Sequence, residues 1–201
     1  MPPDIVLLNK DRLHARMAEL RLDAVIATTP ENVTYMSGFW ALPQWIRRGP
    51  QAYVMWPAPG KGEAEIVTST ATLDLVADQQ VWVERVRRYG AFHVDGHPDD
   101  AKDPVSQRLL ELQEALNHDD ALSALVAGLT DAGLSRARIG IDEIGFMPGQ
   151  FEALRERLPG ASLIPAAGLF RYVRAVKTPE EITRLARVAR SVSTNVRQPE
   201  R

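Results

Sequence analysis

The sequence predicts an α/β protein with helices on both faces of a mixed β-sheet. Short apolar runs that suit buried strands, such as residues 24–27 and 138–142, alternate with segments of helical periodicity. Two strand-like runs, residues 51–56 and 64–68, are separated only by a turn rich in glycine and proline, which indicates an antiparallel hairpin. An antiparallel pair among alternating strands and helices makes the predicted sheet mixed.

The first helix is predicted from Asn9, a favourable N-cap residue, and from the apolar residues that follow it on one face: Leu13, Met17 and Leu20. A buried strand follows at residues 24–27. Thr29 precedes Pro30, which is the pattern of an N-cap and a proline at the first helical position. Gly38 marks the end of this second helix. Residues 39–50 are predicted to form a loop.

Beyond the hairpin, we expect a helix near residues 70–77 and a strand near residues 81–86. Residues 89–104 have no regular pattern. Two helices are predicted at residues 105–116 and 120–132, and Gly133 ends the second of them. The remaining predicted elements are the strand at 138–142, a helix at 148–158 and a last strand at 161–164.

A final helix is predicted from the capping box that Thr178 and Glu181 form around Pro179. Its apolar stripe has helical spacing: Ile182, Leu185, Ala189 and Val192. The stripe needs a surface to pack against, yet the chain soon becomes polar. We therefore expect a domain over residues 1–173, followed at 174–201 by a linker helix and tail that would lead into a second domain.

Composition excludes several kinds of site. The 201 residues contain no cysteine, so neither a disulfide, a zinc-thiolate site nor a cysteine nucleophile is possible. The net charge of −2 gives no general attraction to nucleic acid or to an anionic membrane. We find no signal peptide and no apolar run of membrane-spanning length. We therefore expect a cytoplasmic protein that binds neither nucleic acid nor membrane.

Three segments together resemble the N-terminal domain of the creatinase/prolidase/aminopeptidase P family. They are Pro30-Glu31-Asn32-Val33-Thr34-Tyr35-Met36-Ser37-Gly38, Arg138-Ile139-Gly140-Ile141-Asp142 and Arg174-Ala175-Val176-Lys177-Thr178-Pro179-Glu180-Glu181-Ile182. The resemblance covers roughly residues 10–190. It implies a three-layer α/β/α fold with a ribonuclease H-like mixed sheet.

The same resemblance implies a role beside a catalytic "pita-bread" domain. That domain holds two ions of manganese, cobalt, zinc or iron through two Asp, one His and two Glu, and creatinase uses the same fold without metal. None of these ligands can be assigned to this chain, so we expect no cofactor in it. The implied partners are a second copy, forming a homodimer, or a pita-bread catalytic domain.

Trp45, Arg47 and Arg48 are the candidate substrate-binding residues. They resemble a creatinase loop that carries an aromatic residue and an arginine into the active site of the dimer partner. On that analogy Trp45 would wall the pocket, and Arg47 or Arg48 would bind a substrate carboxylate through a bidentate pair. The alternative is an interface or surface loop with solvated arginines.

His93, Asp95 and His97 form a second candidate, a divalent metal site. Their spacing matches no familiar zinc motif, and Gly96 and Pro98 favour a solvated turn instead. Other polar groups favour structural roles. Asp119 or Asp120, beside His118, is expected to cap a helix. Asp142 and Glu143 are expected to lead into the next helix, and Gly60-Lys61-Gly62 to form a plain turn.

Three functions remain open from the sequence. The first is a non-catalytic accessory domain that supports dimerisation and completes a substrate pocket. The second is a free-standing binding module that keeps the fold without the chemistry. The third is an independent metal hydrolase that uses the cluster at residues 93–100.

Overall fold

The computed structural model describes residues 6–46, 50–92 and 101–196. Its strands are β1 Ala24–Ala27, β2 Tyr53–Pro57, β3 Glu65–Ser69, β4 Arg85–Tyr89, β5 Asn117–His118, β6 Arg138–Ile141 and β7 Ser162–Pro165. Its helices are α1 Lys10–Glu19, α2 Pro30–Ser37, α3 Leu42–Trp45, α4 Leu73–Asp78, α5 Pro104–Glu114, α6 Ala121–Asp131, α7 Gln150–Arg157, α8 Ala167–Ala175 and α9 Pro179–Val196. Short 3₁₀ turns lie at Thr70–Thr72 and Glu143–Gly145.

The strands form one seven-stranded mixed sheet in the order β5-β4-β3-β2-β1-β6-β7. Strand β2 runs antiparallel to both of its neighbours, β1 and β3, whereas the other pairs are parallel. Val54 pairs with Ile66 in the β2–β3 hairpin. The predicted α/β class, the mixed sheet and the antiparallel hairpin are therefore confirmed.

Two hydrophobic cores lie on opposite faces of the sheet, which gives the predicted three layers. Alternate residues of a strand enter different cores: Val25 belongs to the core that includes residues of α1, α2, α4 and α8, while Ile26 belongs to the core that includes residues of α6 and α7. Because both faces are covered, the central strands are buried along their whole length. Their continuous apolar character in the sequence follows from this arrangement.

The local signals at helix ends are mostly confirmed. The Asn9 side chain accepts a hydrogen bond from the Arg12 amide and caps α1, while Gly38 ends α2 with a left-handed φ of 80°. Thr29 is the exception, because its side chain makes no capping bond. Its hydroxyl instead donates to Asp142, at 2.7 Å from Oδ2. The Thr29 hydroxyl thus donates to a distant carboxylate and does not accept from a backbone amide of α2 as an N-cap would.

Two predicted segments differ from the structure. The predicted loop at 39–50 contains the short helix α3, and the strand predicted at 81–86 lies instead at Arg85–Tyr89. Residues before β4 are held by α2, since the Trp82 amide donates to the Ser37 carbonyl at 2.9 Å. Strand β4 contains three arginines, so its sequence is more polar than that of a typical buried strand. Arg87 is nevertheless accommodated, because Glu65 and Asp131 pair with it.

Strand β5 and helix α8 were not predicted. Strand β5 has only two residues and therefore no detectable period. Helix α8 lacks a side-chain cap at its own N-cap residue, Ala166. Its first amides are bonded from elsewhere, since Glu143 Oε2 accepts from the amides of Ala166 and Ala167, each at 3.0 Å.

The capping box of α9 is confirmed in both directions. The Thr178 amide donates to Glu181 Oε2 at 2.8 Å, and the Glu181 amide donates to Thr178 Oγ1 at 3.2 Å. Ile182 and Leu185, from the predicted stripe, are each 57% exposed, as expected for a face without enough of this chain to cover it. None of the helices in the described part of the chain is both long and apolar enough to cross a membrane.

Candidate functional site

A buried carboxylate joins the ends of β1 and β6. Asp142 follows β6 and is 1% exposed. Its Oδ2 accepts hydrogen bonds from the Thr28 amide at 3.3 Å, the Thr29 amide at 2.9 Å and the Thr29 hydroxyl at 2.7 Å. The Asn32 amide group donates to the same oxygen at 2.7 Å. The Asp142 carboxylate is thus enclosed by protein, and no ligand could reach its Oδ2 without displacing these donors.

The same network extends to the C-terminal part of the chain. Arg174 Nη1 donates to Asn32 Oδ1 at 2.7 Å, so Asn32 bridges Asp142 and Arg174. These three residues come from the three segments that carried the sequence resemblance. Together with the bonds from Glu143 to α8, the network supports the predicted structural role of Asp142 and Glu143.

Helix α3 holds Trp45 at the surface beside α2. The neighbouring Gln44 is buried, and its Nε2 donates to the carbonyls of Thr28 at 2.7 Å and Ala52 at 3.0 Å. Trp45 Nε1 donates to Thr34 Oγ1 at 3.2 Å, and the residue is 40% exposed. Trp45 therefore lies outside the core, whereas Arg47 and Arg48 lie outside the described residues.

An open cavity of 750 Å³, which we call the tryptophan cavity, adjoins Trp45. Its lining includes Trp40, Trp82 and Tyr35 in addition to Trp45. Three of the four tryptophans of the chain thus meet at one surface. The volume lies within the range of about 300–1,000 Å³ that is common for small-molecule sites.

Specific backbone features place these indoles. Trp82 packs so closely on α2 that a Cβ at Gly38 would lie 2.7 Å from its ring, so only glycine fits there. Trp82 Nε1 donates to the Met36 carbonyl at 2.8 Å. The Gln79 amide group fixes Trp40, accepting from its backbone amide at 2.7 Å and donating to its carbonyl at 3.2 Å. Contacts with α2 and with the segment that follows α4 therefore place Trp82 and Trp40.

The charged side chains in the lining have both signs: Glu31, Asp78, Arg174 and Arg184. Burial raises the pKa of Tyr35, and the nearby Glu181 carboxylate acts in the same direction. The phenol is therefore neutral at pH 7, and its oxygen accepts a bond from the Asn9 amide at 3.0 Å. Tyr35 contributes an uncharged aromatic surface to the cavity.

The proposed metal ligands His93, Asp95 and His97 lie outside the described residues. Within residues 6–46, 50–92 and 101–196, no group of three or more His, Asp or Glu side chains is placed to hold a metal ion.

The other candidate polar groups have structural partners. Asp120 caps α6, since its Oδ1 accepts from the Ser123 amide at 2.7 Å, as expected. His118 Nε2 lies 3.3 Å from Arg87 Nη1. Lys61 Nζ lies 2.7 Å from Asp23 Oδ1, and Gly60 has a positive φ of 79°, which agrees with the predicted plain turn.

Comparison with protein families adds to this geometry. The model of a family described as the creatinase/prolidase N-terminal domain matches residues 10–176. No curated protein sequence matches the chain.

Solved structures share the fold at low identity. An Xaa-Pro dipeptidase from Bacillus anthracis has a TM-score of 0.56 and 16% identity, over 86% of this chain and 37% of that chain. A proline dipeptidase from Streptococcus pneumoniae has a TM-score of 0.54 and 13% identity, over 85% and 100% of the two chains. An Xaa-Pro aminopeptidase from Streptococcus thermophilus has a TM-score of 0.51 and 17% identity, over 82% and 94%. The chain therefore spans little more than a third of the B. anthracis protein.

Proposed function

We propose, since the chain belongs to the creatinase/prolidase N-terminal domain family, that it is an accessory domain of an X-Pro peptidase or creatinase-like hydrolase. In this role it supports dimerisation and completes a substrate pocket, and it is not itself catalytic. The divalent metal of such an enzyme is then held by a pita-bread catalytic domain. A cytoplasmic location is part of the same proposal, because a chain without cysteine suits a reducing compartment.

The apolar face of α9 carries this proposal. Ile182, Leu185 and Val188 lie on this face and are 57%, 57% and 60% exposed. Covering them would contribute about 3.5 kcal/mol, taking about 2 kcal/mol for each fully buried aliphatic side chain. This gain favours a second surface packed on α9, which is what an accessory domain requires.

Trp45 is the residue that we propose completes the substrate pocket, together with Arg47 and Arg48. The indole is accessible, and α3 holds it against α2 through Thr34. An indole presented in this way can wall a neighbouring pocket without rearrangement of its own domain. The arginines would add carboxylate recognition.

Sedimentation of the purified chain tests the assembly role. We expect a dimer, or a complex with a separately produced pita-bread domain, that Leu185→Asp dissociates because a carboxylate cannot be buried on the apolar face. Arg187→Asp introduces the same residue on the opposite face of α9 and serves as the matched control. A wild-type chain that stays monomeric and does not bind a catalytic domain would contradict the proposal.

Hydrolysis assays separate the accessory role from the independent hydrolase. With X-Pro dipeptides, X-Pro tripeptides or creatine, and added manganese, cobalt or zinc, we expect no turnover by this chain alone. Metal-assisted hydrolysis needs a bound ion to lower the pKa of water. Turnover that disappears when His93 and His97 are both replaced by alanine would favour the hydrolase instead.

A further inference from the structure

We propose that the tryptophan cavity binds a small soluble molecule bearing an alkylated ammonium group, such as trimethylammonium. This inference goes beyond the accessory role and requires only the described residues of one chain. The cavity brings together Trp40, Trp45, Trp82 and Tyr35. Aromatic faces attract cations through the ring quadrupole, and several rings around one site are typical of quaternary ammonium recognition.

The indole hydrogen-bond donors of Trp82 and Trp45 are already used inside the protein. Trp82 Nε1 is bonded to the Met36 carbonyl and Trp45 Nε1 to the Thr34 hydroxyl, at 2.8 and 3.2 Å. These two side chains therefore offer carbon surface to a ligand and no N–H group. A ligand that needs donors, such as an extended peptide, would find fewer partners here than a ligand that needs only aromatic surface.

Two uncharged polar side chains in the lining, Gln79 and Thr34, are occupied as well. Gln79 uses both its oxygen and its nitrogen on the Trp40 backbone. Thr34 Oγ1 accepts from Trp45 and donates to the Phe39 carbonyl at 3.1 Å. A primary ammonium has three N–H groups to satisfy, whereas a quaternary ammonium has none. A quaternary ammonium therefore needs no acceptor from the lining, and the aromatic faces can bind it directly.

The lining also offers a cation two carboxylates. Of the two arginines in the lining, Arg184 pairs with the Glu180 carboxylate at 2.8 Å, whereas Arg174 donates to the neutral amide of Asn32 and keeps its charge. Glu31 and Asp78 are exposed and make no ion pair or side-chain hydrogen bond to any residue in the described ranges. Two carboxylates are thus available to a ligand, and long-range attraction adds to the cation–π contacts.

Calorimetric titration of the purified chain with choline tests the proposal. Its neutral isostere, 3,3-dimethylbutan-1-ol, has the same shape without the charge. We expect saturable binding of choline and binding of the alcohol at least about tenfold weaker, since cation–π contacts act only on the charged ligand. Equal affinity for the two ligands would identify a merely apolar cavity, and absence of choline binding would leave no site; either result overturns the proposal.

Variants locate the site. Trp40 is 48% exposed, and Trp40→Leu should weaken choline binding about tenfold without unfolding the chain. Phe92→Leu removes an aromatic side chain that is 59% exposed and is not in the cavity lining, so it is the matched control. Unchanged affinity in Trp40→Leu, or equal losses in the two variants, would contradict the assignment.

The carboxylates are tested in the same titration. Asp78→Asn should weaken choline binding severalfold at low salt and less at high salt, because screening reduces the interaction of exposed charges. Asp74→Asn lies on the same helix outside the cavity lining and should leave the affinity unchanged. An equal effect of the two variants would show that only net charge matters and would remove Asp78 from the site.

Discussion

Replacing Asp142 with asparagine isolates the contribution of one buried charge to the fold. The substitution keeps the shape of the side chain and removes its charge. Oδ2 now accepts four hydrogen bonds, while Oδ1 is buried without a partner. In Asp142→Asn the remaining oxygen can replace Oδ2, but the new amide nitrogen must then occupy the unpartnered position of Oδ1.

The expected loss has two parts. Bonds to a charged acceptor contribute about 1.5–3 kcal/mol and neutral ones about 0.5–1.5 kcal/mol, so each of the four bonds weakens. The buried amide nitrogen without an acceptor costs a further 1–3 kcal/mol, roughly. Because such terms are not fully additive, we expect a loss of about 3 kcal/mol in the free energy of unfolding, short of the ~5–15 kcal/mol total of a typical domain.

Urea unfolding followed by circular dichroism measures this loss. Asp119→Asn is the matched control, because Asp119 is exposed and has no side-chain partner in the described part of the chain. It should change the free energy of unfolding by less than about 0.5 kcal/mol. If Asp142→Asn were no less stable than Asp119→Asn, the network would not support the fold. A double-mutant cycle that combines Asp142→Asn with Asn32→Ala should give a coupling energy different from zero, because the two side chains are in contact.

Two further predictions concern other buried polar groups. Arg87→Leu removes the cation that lies 3.0 Å from Glu65, whose side chain is only 6% exposed. Because the buried carboxylate is then poorly paired, the free energy of unfolding measured in urea should fall by about 3 kcal/mol. Arg85 lies on the same strand but is 55% exposed, so Arg85→Leu should lower the free energy of unfolding by less than about 1 kcal/mol. Equal losses in the two variants would show that the burial of the Arg87 pair does not matter. For His14, burial and then the nearby Lys10 lower the pKa below its ordinary value of 6.5, and its Nε2 accepts from Trp56 Nε1 at 3.1 Å. The unfolded chain therefore binds the proton more readily, so the free energy of unfolding should fall as the pH drops through and below 6.5. His14→Gln, compared between pH 7 and pH 5, should show a smaller decrease than wild type, and an identical decrease would assign the pH dependence to other groups.

The fold was largely predictable from local signals. Strand burial, the hairpin turn, Gly38 and the capping box of α9 all depend on residues that are neighbours in the sequence, and the structure contains each of them. The errors occurred where the deciding partner is distant. Glu143 caps α8 from more than twenty residues away, and Asp142 takes the Thr29 hydroxyl that was expected to cap α2.

The tryptophan cavity could be predicted only in part. Trp45 was a candidate binding residue from the sequence, but Tyr35 and Trp82 gave no separate signal. Trp82 was placed inside a predicted strand, where its apolar ring appeared to need no further explanation. Its position follows from Gly38, whose missing side chain admits the indole ring onto α2. The contact depends on the absence of a Cβ atom at Gly38, and no periodic pattern of residues indicates such a contact in the sequence.

The three segments of the sequence resemblance have a physical connection in this structure. Asn32, Asp142 and Arg174 each belong to one of them, and they are joined in series by hydrogen bonds of 2.7 Å. These bonds tie α2 and the end of β6 to α8, which leads directly into α9. A motif residue is often interpreted as catalytic, but here the network is buried at Asp142 and closed by protein donors. The same segments therefore anchor the end of α8, from which the chain continues into α9 and its exposed Leu185.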